Sequence, residues 1–223
     1  LANTKGFGAD QLITYEGNDG QYYTSVIKNI NGTTAVLEPP IEVTMSAPAK
    51  IKNFYIGPNH PNENGYKAIA DYASRHLLNL NEGKHVLLGD SWFDHHPRHF
   101  SNRLASRLPN ATIINSGVGG STTQDLLDRF DTSVTNQNPN IVWIMVGTND
   151  YQQSVSKEAY STNIQKLVRK INDINARAIV FNSSVGALMV YRPDGTKYEP
   201  SPSDRLEVLS HGYFNEIEGM LTN

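Results

Sequence analysis

The sequence contains no cysteine among its 223 residues. This absence excludes disulfide bonds, thiolate nucleophiles and zinc sites built on cysteine, and it leaves the redox compartment open. Long hydrophobic runs are also missing, so no segment has the length that a membrane-spanning helix needs. Charge of one sign is not in excess, since 19 basic and 22 acidic residues give a formal net charge of −3. Because these charges form no basic stripe, the sequence does not indicate binding to nucleic acid.

The N-terminal part of the chain is rich in β-branched and aromatic residues separated by turn signals. Three segments have the composition of strands: 11–15, 21–30 and 33–38. Asn31-Gly32, between the last two, favours a type I′ hairpin turn, whose two central residues both need positive φ. We therefore predict a small antiparallel β module over residues 1–48. Composition leaves two roles open for it: packing or spacing, and binding of a carbohydrate or a protein partner.

Beyond this module, 50–56 is a further candidate strand and 65–78 a candidate helix, and after Ser91 the patterns of helices and strands alternate. Short apolar runs typical of strands lie at 50–56, 85–88, 111–115, 141–146 and 178–181. Segments with the helical period of 3.6 residues lie at 65–78, 100–108, 122–130, 157–174 and 203–221. Strands that alternate with helices predict a parallel sheet covered by helices on both faces. The sequence thus predicts an α/β fold, a three-layer α/β/α sandwich, preceded by the small antiparallel module.

Glycine-containing turns follow three of the predicted strands. They are Gly-Asp-Ser at 89–91, Asn-Ser-Gly-Val-Gly-Gly at 115–120 and Gly-Thr-Asn-Asp at 147–150. Because active sites of parallel sheets form at the carboxyl ends of the strands, we expect these turns to meet at one edge. An ester hydrolase needs a nucleophilic hydroxyl and hydrogen-bond donors directed at the developing oxyanion. Ser91 offers the hydroxyl, Gly120 an unobstructed backbone N–H and Asn149 a side-chain amide.

In these three blocks the chain resembles the SGNH (GDSL-type) serine hydrolases, which have a flavodoxin-like α/β/α fold. The blocks occur in family order, and intervals of 29 residues separate Ser91, Gly120 and Asn149. The resemblance implies that Ser91 is the nucleophile. It also implies an oxyanion hole made of the N–H groups of Ser91 and Gly120 and the amide of Asn149. No metal and no organic cofactor is implied.

The block that carries the family's base histidine stands in an unusual place. In the family it reads D-x-x-H-P-N-x-x-G-Y and lies near the C-terminus, whereas here the matching residues 60–70 precede the nucleophile. The resemblance therefore implies a circularly permuted domain over residues 49–223, with His60 as the base for Ser91. A rival interpretation is a tandem arrangement, in which His60 serves a serine of another domain or chain. Gly57 stands where the family has aspartate, so the group that orients His60 is absent, a backbone carbonyl or a carboxylate from elsewhere, and we expect a Ser–His dyad.

The other histidines have weaker claims to a chemical role. His211 is the alternative base, but it lies off the apolar face of its predicted helix, which favours a solvated side chain. The tract 94–99 (Asp-His-His-Pro-Arg-His) contains residue types that bind metals. Because adjacent residues on a helix do not face one site, we favour a polar rim of the active site over a metal centre for this tract.

Taken together, the motifs predict a serine ester hydrolase that acts through an acyl-enzyme. The polar composition and the β module favour an O-acetyl esterase acting on an acetylated poly- or oligosaccharide, with transfer to a sugar acceptor as a variant. We expect a secreted, cell-surface or virion-associated location. The competing class is a non-catalytic component of a surface or a virion that binds a glycan or a partner. The absence of an aspartate at residue 57 is the reason to retain this alternative.

Overall fold

The computed structural model describes residues 7–41, 43–45, 50–53, 61–77, 79–181, 190–191 and 197–198. These residues belong to two units. The first contains the residues up to His76 together with 190–191 and 197–198, and the second runs from Leu77 to residue 181. The predicted helix over 203–221 and the candidate base residues His60 and His211 lie outside the described residues.

The first unit contains an antiparallel four-stranded sheet in the order β3-β2-β1-β4. Its elements are β1 (Leu12–Glu16), β2 (Tyr22–Asn31), β3 (Thr34–Glu38), β4 (Ile51–Asn53) and helix α1 (Glu63–His76). Two short strands, Val190–Tyr191 and Lys197–Tyr198, pair with each other in antiparallel fashion. The antiparallel module predicted at the N-terminal end is thus present.

The hairpin between β2 and β3 forms, but with a different turn from the predicted one. Asn31 pairs with Thr34, so the central turn residues are Gly32 and Thr33. Of these only Gly32 has a positive φ, of 58°. The prediction of a type I′ turn at Asn31-Gly32 is therefore wrong. A β-branched residue such as Thr33 strongly disfavours the positive φ that this turn type requires.

Helix α1 packs against β1 and β2 of this sheet. The carboxylate of the buried Asp71 accepts the backbone N–H of Tyr22 at 2.6 Å. Arg75 donates to the side-chain carbonyl of Gln21 at 3.1 Å, and its guanidinium lies 4.4 Å from the ring centroid of Tyr23. The helix that follows the predicted base block is therefore held to β2 by both polar and stacking contacts.

The second unit contains a parallel four-stranded sheet in the order β6-β5-β7-β8. The strands are β5 (Gly83–Gly89), β6 (Ala111–Gly117), β7 (Ile141–Met145) and β8 (Arg177–Val180). The helices are α2 (Ser91–Arg107), α3 (Thr123–Asp128), α4 (Phe130–Ser133), α5 (Thr148–Gln152) and α6 (Lys157–Asp173). The predicted α/β fold with a parallel sheet is confirmed. No helix in the described ranges is long and apolar enough to cross a membrane.

One face of this sheet is covered by an aliphatic core. Val86 and Leu88 of β5 and Val142 and Ile144 of β7 point to this face, because alternate residues of a strand share one side of the sheet. They pack with buried side chains of α3, α4 and α6, namely Leu126, Phe130, Tyr160, Ile164, Leu167 and Ile171. The helices α3 to α6 therefore form one outer layer of the predicted sandwich.

The opposite face carries an aromatic layer beneath α2. Phe93 and Phe100 of α2 lie 5.3 Å apart between ring centroids. The ring of Trp143 in β7 stacks on Phe181 with a centroid separation of 5.7 Å, and Phe100 meets Phe181 edge-on at 5.8 Å. Aromatic pairs at such separations are favourable beyond the area they bury. This layer fixes α2 to the sheet, with Ser91 as the first residue of the helix.

His85 is a buried titratable residue in this aromatic layer. Its Nδ1 lies 3.3 Å from Trp143 Nε1, and its Nε2 lies 3.1 Å from the carbonyl oxygen of Glu82. The indole N–H can only donate, so Nδ1 accepts and Nε2 carries the proton. The neutral imidazole is thus fully hydrogen-bonded, and burial lowers the pKa of His85 from its usual value.

The lowered pKa of His85 predicts a loss of stability on acidification. Because the unfolded chain takes up the histidine proton at a higher pH than the folded protein, the free energy of unfolding should fall as pH drops below about 6.5. His85→Gln keeps a donor and an acceptor but does not titrate, so its stability should fall less over the same range. Urea unfolding followed by circular dichroism at several pH values measures both slopes. Equal slopes in the two proteins would contradict the prediction.

Candidate active site

Ser91 lies directly after the carboxyl end of β5, at the first position of helix α2. The buried Asp90 caps this helix, since its Oδ1 accepts the N–H of Trp92 at 2.9 Å. The Asp90 N–H donates to the carbonyl of Met145 at 3.2 Å, which ties the turn to the end of β7. The N-terminus of a helix carries a partial positive charge, which favours an ionised serine or an oxyanion.

The helix that carries Ser91 is longer than the sequence predicts. The apolar period predicts a helix over 100–108, whereas α2 begins at Ser91 and continues through Pro97 to Arg107. The tract 94–99 is polar and contains a proline, so the sequence does not predict the first half of this helix. Packing of Phe93 in the aromatic layer, together with the Asp90 cap, outweighs these local signals.

Two glycines at the strand ends allow α2 to approach the sheet closely. A Cβ atom at Gly117 would lie 2.7 Å from the Cβ of Phe93 and 2.8 Å from the backbone nitrogen of Asp94. A Cβ atom at Gly89 would collide with the carbonyl oxygen of Met145 and lie 2.8 Å from the Phe93 ring. The first turn of α2 therefore occupies the space that side chains at these two positions would need.

The turn after β6 presents a backbone donor beside Ser91. A Cβ atom placed on Gly119 would lie 3.9 Å from the Cβ of Ser91. The Gly119 N–H donates to Asp94 Oδ2 at 3.2 Å. Gly120 has a φ of +81°, and no heavy atom lies within 4 Å of its Cβ position. Within the described part of the chain, the Gly120 N–H has no acceptor, so it can bind a developing oxyanion.

Asn149 connects the other two blocks through its side-chain amide. Its Nδ2 donates to the carbonyl oxygen of Ser121 at 3.0 Å and to Asp90 Oδ2 at 3.3 Å. Ser121 directly follows Gly120, and Asp90 directly precedes Ser91. The amide therefore links the residue before Ser91 to the residue after Gly120, and these two bonds use both of its N–H hydrogens.

Asp150 fixes the third block to the helix that follows the second. Its buried carboxylate accepts the N–H of Thr123 at 3.0 Å through both oxygens and also accepts the Thr123 hydroxyl. Asn163 of α6 donates to the same hydroxyl at 3.2 Å. Burial raises the pKa of the Asp150 carboxyl. The Asp150 carboxylate therefore stabilises the turn after β7 and holds it to the start of α3.

Arg129 also contacts the site, although no motif of the sequence identified it. Its guanidinium donates to the carbonyl of Ser116 at 2.7 Å, the carbonyl of Gly89 at 2.9 Å and the hydroxyl of Ser133 at 3.1 Å. Burial lowers the pKa of Arg129. The only local sign was its position directly after α3. The capping box of Thr122 and Asp125 marks the start of this helix.

The structure thus brings Ser91, Gly120 and Asn149 to one edge of the parallel sheet, as the three glycine turns predict. The predicted base His60 and its rival His211 are outside the described residues, as are the side chains of 95–99. Among the described side chains, no group of three His, Asp or Glu residues could hold a metal ion.

A family model described as the GDSL-like Lipase/Acylhydrolase family matches residues 87–213, which is more than half of the chain. The chain belongs to the GDSL-like lipase/acylhydrolase family. The family that the three blocks resemble is thereby confirmed. The matched segment of this GDSL-family chain contains Ser91, Gly120, Asn149 and His211, while His60 lies before it. The circular permutation stays a prediction.

Individual relatives match parts of the GDSL-family chain. An arylesterase of Vibrio mimicus is 26% identical over 122 residues, which is 53% of this chain and 59% of the relative. An uncharacterized lipoprotein of Bacillus subtilis, YqeF, is 41% identical over 61 residues, 25% of each chain. The chain thus spans from a quarter to about three fifths of the length of these relatives. Among solved structures, the acetylxylan esterase Axe2 of Geobacillus stearothermophilus matches with a TM-score of 0.48 and 18% identity, over 63% of this chain and 72% of that one.

Proposed function

We propose that the protein is a serine ester hydrolase that forms an acyl-enzyme on Ser91. The observation that carries the proposal is the position of the Asn149 amide, which contacts the residue before Ser91 and the residue after Gly120. Membership of the GDSL-like family and the similarity to an arylesterase support the same reaction class.

In the proposed mechanism, His60 takes the proton of the Ser91 hydroxyl while Oγ attacks the ester carbonyl carbon. The carbonyl oxygen becomes an oxyanion and accepts hydrogen bonds from the N–H groups of Ser91 and Gly120 and from Asn149 Nδ2, which gives up its 3.3 Å bond to Asp90 Oδ2. The bond from carbon to the alcohol oxygen then breaks, and the alcohol leaves with the proton from His60. Water attacks the acyl-enzyme with His60 again as base, which releases the carboxylic acid and restores Ser91.

The substrate class that we propose is a short acyl ester, with an O-acetyl group on a carbohydrate as the specific candidate. Asp94 is exposed and lies one helical turn after Ser91, next to the Gly119 N–H. A hydrated carboxylate at this place suits a polar alcohol better than a lipid chain, and the sequence has no long apolar segment that could form a lid. The similarity to a lipoprotein supports a location at a cell surface or outside the cell as part of the proposal.

Hydrolysis of p-nitrophenyl acetate and of acetylated xylo-oligosaccharides tests the proposal directly. The wild-type protein should release acetate from both, and Asn149→Ala should lower kcat by about 10²- to 10³-fold because one oxyanion donor is lost. Gln153 directly follows α5, the short helix that contains Asn149, and its side-chain amide is exposed. As a matched control, Gln153→Ala should keep the wild-type kcat. No turnover of any ester by the wild type would refute the proposed function, and full kcat in Asn149→Ala would refute the role of this amide.

A further inference from the structure

The hydrogen bonds of Arg129 are unusual for a half-buried cation. In the described residues, its two Nη atoms donate to two backbone carbonyls and one hydroxyl and to no carboxylate, and its buried Nε has no partner. Asp125, whose charge raises the pKa of Arg129, uses its carboxylate to accept the N–H of Thr122. Removing a guanidinium from water without an ion-pair partner is costly, so this arrangement is a poor source of stability alone.

The two carbonyls that Arg129 binds lie at the carboxyl ends of neighbouring strands. Ser116 of β6 pairs with Leu88 of β5, one step before the pair formed by Gly89 and Gly117. Gly89 precedes Ser91 by two residues, which places the two Cα atoms no more than about 7.6 Å apart. The Gly89 carbonyl also accepts the N–H of Val118 at 3.0 Å. A single carbonyl therefore connects the Ser91 turn, the Gly120 turn and Arg129.

The ladder between β5 and β6 ends at the pair of Gly89 and Gly117, and neither residue has a side chain that could pack beyond it. Gly89 and Gly117 face the first turn of α2 without side chains, since a Cβ atom at either position would clash with it. Hydrogen bonds donated by a charged group are shorter and stronger than those between neutral groups. The guanidinium supplies two such bonds, one to each strand end, from a single planar group.

We propose that Arg129 is a positioning residue of the oxyanion hole, which holds the turn of Ser91 and the turn of Gly120 at a fixed separation by bridging the carbonyls of Gly89 and Ser116. This inference rests on the proposed function. Arg129 acts through the two turns and makes no contact with the substrate. A shift of about 1 Å between nucleophile and oxyanion donors costs on the order of 10²-fold in rate, and the loss falls on kcat more than on KM.

The experiment compares kcat and KM for p-nitrophenyl acetate in Arg129→Met, Arg129→Lys and Ser133→Ala. Arg129→Met should lose about 10²-fold in kcat with a nearly unchanged KM. Arg129→Lys keeps the charge but can reach only one of the two carbonyls well, so it should recover part of that loss. Among the described residues, Ser133 is the Arg129 partner that lies outside the catalytic turns, so Ser133→Ala should keep the wild-type kcat.

Thermal unfolding of each variant separates positioning from stability. If Arg129 only stabilises the fold, the activity of Arg129→Lys and of Ser133→Ala should fall only in proportion to the fraction of unfolded protein. Wild-type kcat in folded Arg129→Met, or in folded Arg129→Lys if the Met variant does not fold, overturns this inference alone. A proportional rise of KM with unchanged kcat also overturns it. An inactive wild-type protein overturns the proposed function, and this inference with it.

Discussion

Replacing Ser91 by alanine is expected to lower kcat for p-nitrophenyl acetate by about 10⁶-fold, the size of loss seen when the nucleophile of a serine hydrolase is removed. Without the Oγ atom no acyl-enzyme forms, and only the slow attack of water beside the oxyanion donors remains. The fold should be unaffected, because Asp90 rather than Ser91 caps helix α2. Initial rates in the presence of saturating substrate measure the change.

Ser106→Ala is the matched control for this prediction. Ser106 lies near the other end of the same helix and donates to the carbonyl of Arg103 in its own turn, so its loss should not change kcat. A phosphonate ester should label the wild-type protein at Ser91, and intact mass should show no label on Ser91→Ala. A Ser91→Ala protein with the wild-type rate would assign the reaction to another group.

Replacing His60 by alanine is expected to lower kcat by about 10²- to 10⁴-fold, the usual contribution of a general base. The serine proton then has no acceptor during attack, and the leaving alcohol has no donor. His211→Ala provides the comparison, because His211 lies within the residues that match the family model and His60 lies outside them. Loss of activity in His211→Ala with full activity in His60→Ala would contradict the permuted arrangement.

Mixing two inactive variants separates the permuted arrangement from its tandem rival. If His60 serves Ser91 of the same chain, an equimolar mixture of Ser91→Ala and His60→Ala should stay as inactive as its components. Recovery of activity in the mixture would show that the histidine of one chain acts on the serine of another. If the arrangement is permuted, the rate per wild-type molecule should stay constant when the assay is repeated at several protein concentrations.

The parallel sheet and the three site turns could be predicted because their signals are local. The apolar run 141–146 predicts a strand covered on both faces, and Ile141–Met145 is buried throughout. Each glycine turn directly follows its strand, so strand polarity alone places Ser91, Gly120 and Asn149 at one edge. Their chemical types then indicate the reaction.

The remaining features depend on contacts between distant residues, which the local pattern does not contain. The start of α2 is set by the fit of Phe93 against Gly89 and Gly117, which come from two different strands. The role of Arg129 depends on two backbone carbonyl oxygens, and a sequence does not show which side chain a backbone carbonyl binds. The base could be named only by resemblance, since its block lies apart from the three turns along the chain.

The burial of Trp143 and Trp92 gives the molecule a built-in optical signal. These are the only two tryptophans of the chain, and both belong to the second unit, with exposed fractions of 0% and 6%. Trp92 directly follows Ser91, and Trp143 shares a hydrogen bond with His85. Intrinsic tryptophan fluorescence therefore reports on the unit that carries the nucleophile, so the melting of that unit can be followed separately without attaching a dye.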